Sequence, residues 1–203
     1  AFEAASDALA DESFSRKHAA AWALGELHDD RAVPLLVEAL AKDHASLTGR
    51  EIARALARFG PKTVEPLAQA LPTIPGEARS YAIRVLGELH DPRAQPALTA
   101  ALADPATRAD AVWALGTLGR VGTPPDLTDY LSDEDWRVRV EASRTAGLLK
   151  IQRAVPVLNQ MREQDPVVAA REWAARGLGL IEGHPMTYKR ADGEWTVPDD
   201  LYR

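Results

Sequence analysis

The residues of this chain with the most chemical reach are its histidines and its neighbouring acids, and both groups are scattered. The histidines are His18, His28, His44, His90 and His184. His28 and His90 fall at equivalent places of a repeating pattern but two repeats apart, and stacked helices lie roughly 8 to 10 Å from each other. They cannot share a zinc ion whose ligands must lie about 2 Å from it. Capping a helix end is the role that their positions suggest. Asp29-Asp30, Asp133-Glu134-Asp135 and Asp199-Asp200 fall at turns and tails, where acids serve as caps and solvated charge. No glycine-rich phosphate loop, nucleophile elbow or zinc motif is present, and with no cysteine there is no thiolate ligand or nucleophile. The expectation is no catalytic residue, no metal and no cofactor.

What must position any site is a phrase written six times. Its clearest copy is Ala19-Ala20-Ala21-Trp22-Ala23-Leu24-Gly25-Glu26-Leu27, and its small-residue anchor recurs as Gly25, Ala57, Gly87, Gly116, Gly147 and Gly179, at intervals of 32, 30, 29, 31 and 32. A period near 31 is the signature of a repeat architecture. Nine residues past the first five anchors stand Pro34, Pro66, Pro96, Pro125 and Pro156, a second column in the same phase.

Apolar residues fall five and one positions before the anchor and two after it, as in Ala20, Leu24 and Leu27, which places them on one helical face. This is helix A. Its small anchor lets a neighbouring helix cross closely, offsetting the roughly 1 kcal/mol that a mid-helix glycine costs relative to alanine. His28, Gly60, His90, Gly119 and Lys150, three past the anchor, end it. Helix B opens around the proline column, where proline is tolerated because the first amides lack intrahelical partners. Its apolar face reads Leu36, Ala39 and Leu40, then Leu98, Ala101 and Leu102, then Leu127, Tyr130 and Leu131. Asp104-Pro105, Asp165-Pro166, Ile74-Pro75-Gly76 and the run from Ser132 to Asp135 punctuate the joints. The fold class is all-α, helix pairs stacked in one direction.

Residues 1–14 read as a half-repeat with a B-like helix, because Leu9 lies one period before Leu40; it is either an N-terminal cap or the remnant of a longer chain, as a start at Ala1 also suggests. Residues 15–182 hold the repeats. Residues 183–203 leave the period and carry the Asp192-Gly193 signal of a two-residue hairpin. They are expected to cap the last helix through Met186, Tyr188 and Trp195, the rival being a flexible tail.

Composition sets further bounds. The chain has 203 residues, 46% hydrophobic and 27% charged, with a net charge of −6, which is ordinary for a globular protein. No apolar run approaches the roughly 18 residues of a membrane span. A pI near 5.4 argues against a nucleic-acid footprint, and the absence of cysteine fits a cytoplasmic protein.

The pattern A-x-x-x-L-G-x-L followed by R-A-V-P-x-L, carried by Ala20 to Leu27 with Arg31 to Leu36, Ala82 to Leu89 with Arg93 to Leu98, and Ala142 to Leu149 with Arg153 to Leu158, resembles the HEAT repeats. It is most similar to their short-repeat branch named after phycobilisome lyases. The resemblance implies a right-handed α-solenoid superhelix of antiparallel helix pairs, A helices convex and B helices concave, working mostly as an interaction scaffold. It also implies two enzymatic alternatives. One is a bilin lyase-like subunit handling a tetrapyrrole chromophore and its acceptor protein. The other is a deoxyhypusine hydroxylase, whose iron-binding His-Glu pairs would stand seven and six before each anchor; here those places hold His18-Ala19, Arg50-Glu51, Ser80-Tyr81, Ala109-Asp110, Val140-Glu141 and Glu172-Trp173. No His-Glu pair is present, so that first shell is missing.

On this frame the concave candidates, twelve past the anchor, are Val37, Gln69, Thr99, Thr128 and Asn159, mostly small uncharged polar residues suited to an extended peptide or helix, or simply a solvated face. The alternative convex row, three before the anchor, is Trp22, Arg54, Arg84, Trp113, Arg144 and Arg176, fit for an acidic protein surface or plain helix exterior. The column eight before the anchor, Lys17, Gly49, Arg79, Arg108, Arg139 and Arg171, reads as a structural ladder: stems pack between repeats while the charged heads reach carboxylates or carbonyls of the next repeat. The expected partner is another protein or peptide, within a longer chain or a complex.

Overall fold

A computed structural model describes residues 1–42, 46–119 and 126–199. His44, Pro125 and Asp200 lie outside the described residues. The chain divides into two compact units, Ala1–Thr107 and Arg108–Arg203.

The first unit contains α1 (Phe2–Leu9), α2 (Phe14–Leu27), α3 (Ala32–Lys42), α4 (Ser46–Arg58), α5 (Val64–Ala70), α6 (Gly76–Glu88) and α7 (Gln95–Ala101), with 3₁₀ turns at Gly60–Thr63, Leu71–Thr73 and Pro92–Ala94. The A-type helices α2, α4 and α6 pack side by side in that order, and the B-type helices α1, α3, α5 and α7 form the second layer. Leu24, Leu36, Leu40, Ile52, Leu56, Leu67, Ile83, Leu86 and Leu98 are fully buried; several of them stand one before the anchor, as the periodicity requires.

The second unit contains α8 (Arg108–Leu118), α9 (Trp136–Leu148), α10 (Val155–Gln164) and α11 (Val168–Glu182), then the short strands β1 (Tyr188–Lys189) and β2 (Trp195–Thr196). A-type helices α8, α9 and α11 pack in sequence, with α10 against α11. Between α8 and α9, where an amphipathic helix B was expected on Leu127, Tyr130 and Leu131, the described residues form only a 3₁₀ turn, Thr128–Ser132. The Asp126 carboxylate accepts from the Thr128 amide at 3.0 Å and its hydroxyl at 2.6 Å. Helical structure therefore starts late and meets the Ser132-Asp133 joint within five residues. Leu127 and Leu131 are nevertheless buried.

Helix A ends as its third column past the anchor dictates. His28, Gly60, His90 and Lys150 all adopt the left-handed conformation, with φ between 50 and 59°. His28 Nδ1 donates to the Glu26 carbonyl at 2.9 Å and His90 Nδ1 to the Glu88 carbonyl at 2.6 Å, so the imidazoles stabilise a conformation that otherwise favours glycine.

The strands pair antiparallel, Tyr188 opposite Thr196 and Lys189 opposite Trp195. Their connection is a three-residue loop rather than two. The Arg190 amide donates to the Glu194 carbonyl, the Gly193 amide to the Arg190 carbonyl, and Gly193 sits at φ 90°, a turn closed by one left-handed residue. Asp192 makes this form because its Oδ1 accepts from the Glu194 amide at 3.0 Å. β1 lies against α10 and α11. Arg162 donates to the Thr187 carbonyl at 2.7 Å and stacks over the Trp195 ring at 5.0 Å, while Arg171 donates to the Arg190 carbonyl.

Candidate interaction surfaces

The arginine column eight before the anchor is the most ordered polar feature. Arg79 Nη1 lies 2.7 Å from Asp104 Oδ2, Arg108 Nη1 3.0 Å from Asp133 Oδ2, and Arg139 makes two bonds to Asp165, 2.7 and 2.8 Å long. Each aspartate is also the cap of the following turn, accepting from the amide of Ala106, Asp135 or Val167. The expected ladder to the next repeat is thus corrected: each arginine braces helix A to the joint that closes its own repeat. Arg139 has its guanidinium held further by the Asp133 and Glu134 carbonyls, and the bond that it donates to Asp165 raises its pKa above the ordinary arginine value. Column members Arg79, Arg108 and Arg139 are therefore committed to structure.

A second polar series lies at helix starts, Asp29 and Asp91 in the turns between A and B helices and Asp135 at the N-terminus of the A-type helix α9. Asp29, Asp91 and Asp135 each take the side chain and the amide of the arginine two residues on, Arg31, Arg93 and Arg137. These bonds hold the three carboxyls below the usual carboxylate range, the side-chain bond from the arginine contributing most. In the first unit Asp30 with Lys62 links successive turns, Glu3 of α1 pairs with Arg31, and Glu26 of α2 pairs with Arg58 of α4.

On the B-helix layer the expected row separates. Val37 is buried and belongs to the core, so its assignment to a binding surface is withdrawn; a valine beside Leu36 on an apolar helix completes the packing face. Gln69 and Thr99 are exposed in the first unit, with Gln69 reaching only Glu65 at 3.5 Å. In the second unit Thr128 and Asn159 are half-buried, Asn159 donating to the Val155 carbonyl and accepting from Arg162. Those two are locally engaged. Of the row, Gln69 and Thr99 are the exposed members, with the exposed Ala100 beside Thr99.

On the A-helix layer Trp22, Arg54 and Arg84 are exposed, and Trp113, Arg144 and Arg176 are half-buried. Arg54, Arg144 and Arg176 pair with Glu51, Glu141 and Glu172 on their own helices, and Arg176 also reaches the Asp199 carbonyl. Outward residues of the second unit missed by the sequence reading are Leu148 and Leu180, both exposed one position past the anchor. Their column holds Glu26, Arg58 and Glu88 earlier in the chain, and that switch from charge to leucine was visible in the residues.

His18 stands beside Phe14, 5.8 Å between ring centroids, and His184 Nδ1 lies near the Pro185 carbonyl. Among the described residues no group of three or more histidines, acids or cysteines stands together to hold a metal ion. Nor is any helix long and apolar enough to cross a membrane.

Paired helices repeated in one direction, with polar groups spent on bracing the joints, define an α-helical repeat protein of the solenoid class. A family model of HEAT repeats matches residues 2–75 and 64–139, and the chain belongs to that family. No match is found among curated protein sequences. Among solved structures, the complex of CpcE and CpcF of phycocyanin lyase from Nostoc sp. PCC7120 is similar at 26% identity and TM-score 0.59, over 89% of this chain and 77% of that one. An engineered protein is similar at 22% identity and TM-score 0.56, over 90% and 96%. A designed armadillo repeat protein in complex with the peptide (KR)4 is similar at 16% identity and TM-score 0.53, over 87% and 98%.

Proposed function

We propose that the chain is a non-enzymatic scaffold that binds a partner protein or peptide on its B-helix face. The observation that carries this reading is the contrast between Gln69 and Thr99, exposed with hydrogen-bonding capacity to spare, and the arginines of the joints, whose donors are consumed internally. Small uncharged side chains at helical spacing offer a peptide backbone hydrogen bonds without a strong field. The designed armadillo repeat protein in complex with the peptide (KR)4 has a similar fold, which supports peptide binding as one use of such a fold. A strongly basic peptide is not the expected ligand here, since Gln69 and Thr99 carry no charge.

The test is a peptide-display selection on the purified protein, followed by anisotropy titration of the enriched peptide against the Gln69→Arg/Thr99→Arg variant. Loss of binding with an unchanged circular dichroism spectrum supports the face; equal affinity for both proteins removes it.

A second reading is favoured by the 26% identity to the CpcE and CpcF complex: a lyase-like subunit that handles a bilin and its acceptor. Incubation with bilin, apo-acceptor and a complementary subunit, read as covalent colour on the acceptor, separates the two readings.

A further inference from the structure

Three arginines of the column eight before the anchor close on an aspartate 25 or 26 residues further on: Arg79 on Asp104, Arg108 on Asp133 and Arg139 on Asp165. Arg171 of α11 stands in the same column, and the matching places hold Thr196 and Val197. Among the described residues its guanidinium makes one hydrogen bond, from Nη1 to the Arg190 carbonyl at 3.2 Å. Its Nε is buried and has no partner. In Arg139 that same Nε lies 2.7 Å from Asp165 Oδ2, with Nη2 on the other oxygen at 2.8 Å. A buried donor left unpaired is costly, and the arginine fork matches a carboxylate at two points. No neighbouring acid fills it: Glu172 is taken by Arg176, and Asp192 of the hairpin pairs with Arg190.

The segment that rests on Arg171 is lightly seated. None of residues 182–199 is buried, whereas α9, α10 and α11 each bury two or more side chains. Trp195 and Val197 remain 46% and 48% exposed. The segment is fastened by bonds that Arg162, Arg171 and Arg176 donate to the backbone carbonyls of Thr187, Arg190 and Asp199. Few buried apolar contacts and solvent-facing hydrogen bonds mark a part of a protein that opens below global unfolding.

We propose that Arg171 is a binding site for an aspartate side chain of a partner protein, and that the hairpin is a strap that yields as the carboxylate enters. The chemistry of the occupant is that of the three filled sites. Each of their aspartates also accepts from the amide two residues on, that of Ala106, Asp135 or Val167, and two of them precede proline, Asp104-Pro105 and Asp165-Pro166. The partner therefore offers an aspartate in such a turn, Asp-Pro being the form used twice here. Its carboxylate takes Nε and Nη2 in two parallel charge-assisted bonds, as Asp165 does on Arg139. The strap gives way because Nε is reached only when the cover over it moves. This site lies on α11, apart from the B-helix face, so either proposal stands or falls alone.

The probe is an acetylated and amidated peptide of residues 164–170, Gln-Asp-Pro-Val-Val-Ala-Ala, whose aspartate is the one that Arg139 holds within the chain. Titrated into the full chain, it is expected to shift the Arg171 Nε–H signal in nitrogen-proton NMR spectra saturably, and to speed hydrogen exchange at the Arg190 and Gly193 amides that close the hairpin. Arg171→Lys keeps the charge and loses the fork, and should weaken binding at least about tenfold. The peptide with Asp165→Asn should bind the unaltered chain as weakly, an arm that needs no variant protein to fold. An unchanged thermal midpoint verifies the Arg171→Lys chain. No saturable shift at Arg171, or equal binding of the asparagine peptide, would overturn the site. An equal response to sodium acetate at the same concentration would overturn the partner segment, and binding without faster hairpin exchange would overturn the strap.

Discussion

Arg139 and Asp165 form a two-pronged ion pair, Nε to Oδ2 at 2.7 Å and Nη2 to Oδ1 at 2.8 Å, with both side chains almost wholly withdrawn from water. The homologous pair of Arg79 and Asp104 is about one-third exposed. Removing one member of a buried pair strands a charge, whereas an exposed pair is worth little. Asp165→Ala is therefore expected to cost about 3 to 5 kcal/mol, and Asp104→Ala about 1 kcal/mol. Both lose the same turn cap, so urea unfolding of the two variants isolates burial as the cause.

The crossing of α9 and α11 is set by backbone contact. A Cβ on Gly177 would stand 2.5 Å from the Ser143 carbonyl oxygen, and one on Gly147 2.7 Å from the Cα of Gly177. Neither neighbour is a side-chain end that can swing away. Gly177→Ala should destabilise by about 1 to 3 kcal/mol from overpacking, despite the gain of about 1 kcal/mol in helix propensity. Gly49→Ala, whose Cβ would meet ordinary contacts of 3.6 to 3.7 Å, should raise the thermal midpoint instead.

Acid should loosen the helix starts that an aspartate and the arginine two residues on hold together. Asp29, Asp91 and Asp135 have carboxyl pKa values held below the ordinary 3.8 by the arginine two residues on. A group whose folded value is lowered adds stability that is fully present above its unfolded value and is lost as pH falls through the folded one. The unfolding midpoint should therefore drop below about pH 4, and replacing all three aspartates by asparagine should flatten that drop while lowering the midpoint at neutral pH. The three arginine partners are exposed, so added salt should shrink the difference.

Much of this fold was legible in the residues because a repeat states each packing rule several times. The anchor column forecast close helix crossings, and His28, His90 and Lys150 ended their helices where the register placed them. What escaped the sequence was set by side chains reaching across space. Nothing in the spacing of Arg139 said that it would close on Asp165 of its own repeat rather than on the next. Asp126 and Asp192 reset a helix start and a hairpin loop by bonding to nearby amides, and such local competition has no periodic signal. Val37 shares a column with Gln69 and Thr99, yet in α3 it is buried beside Leu36.

The arginine braces join residues 25, 25 and 26 positions apart, a span shorter than the period itself. A duplication or loss of one whole period in the gene would leave every brace intact, with both of its ends inherited together. Array length can thus drift between generations without a compensating second change, and surface columns are free to diversify on copies that already fold. During synthesis, too, each brace can close as soon as its own joint has left the ribosome, before the next helix pair exists.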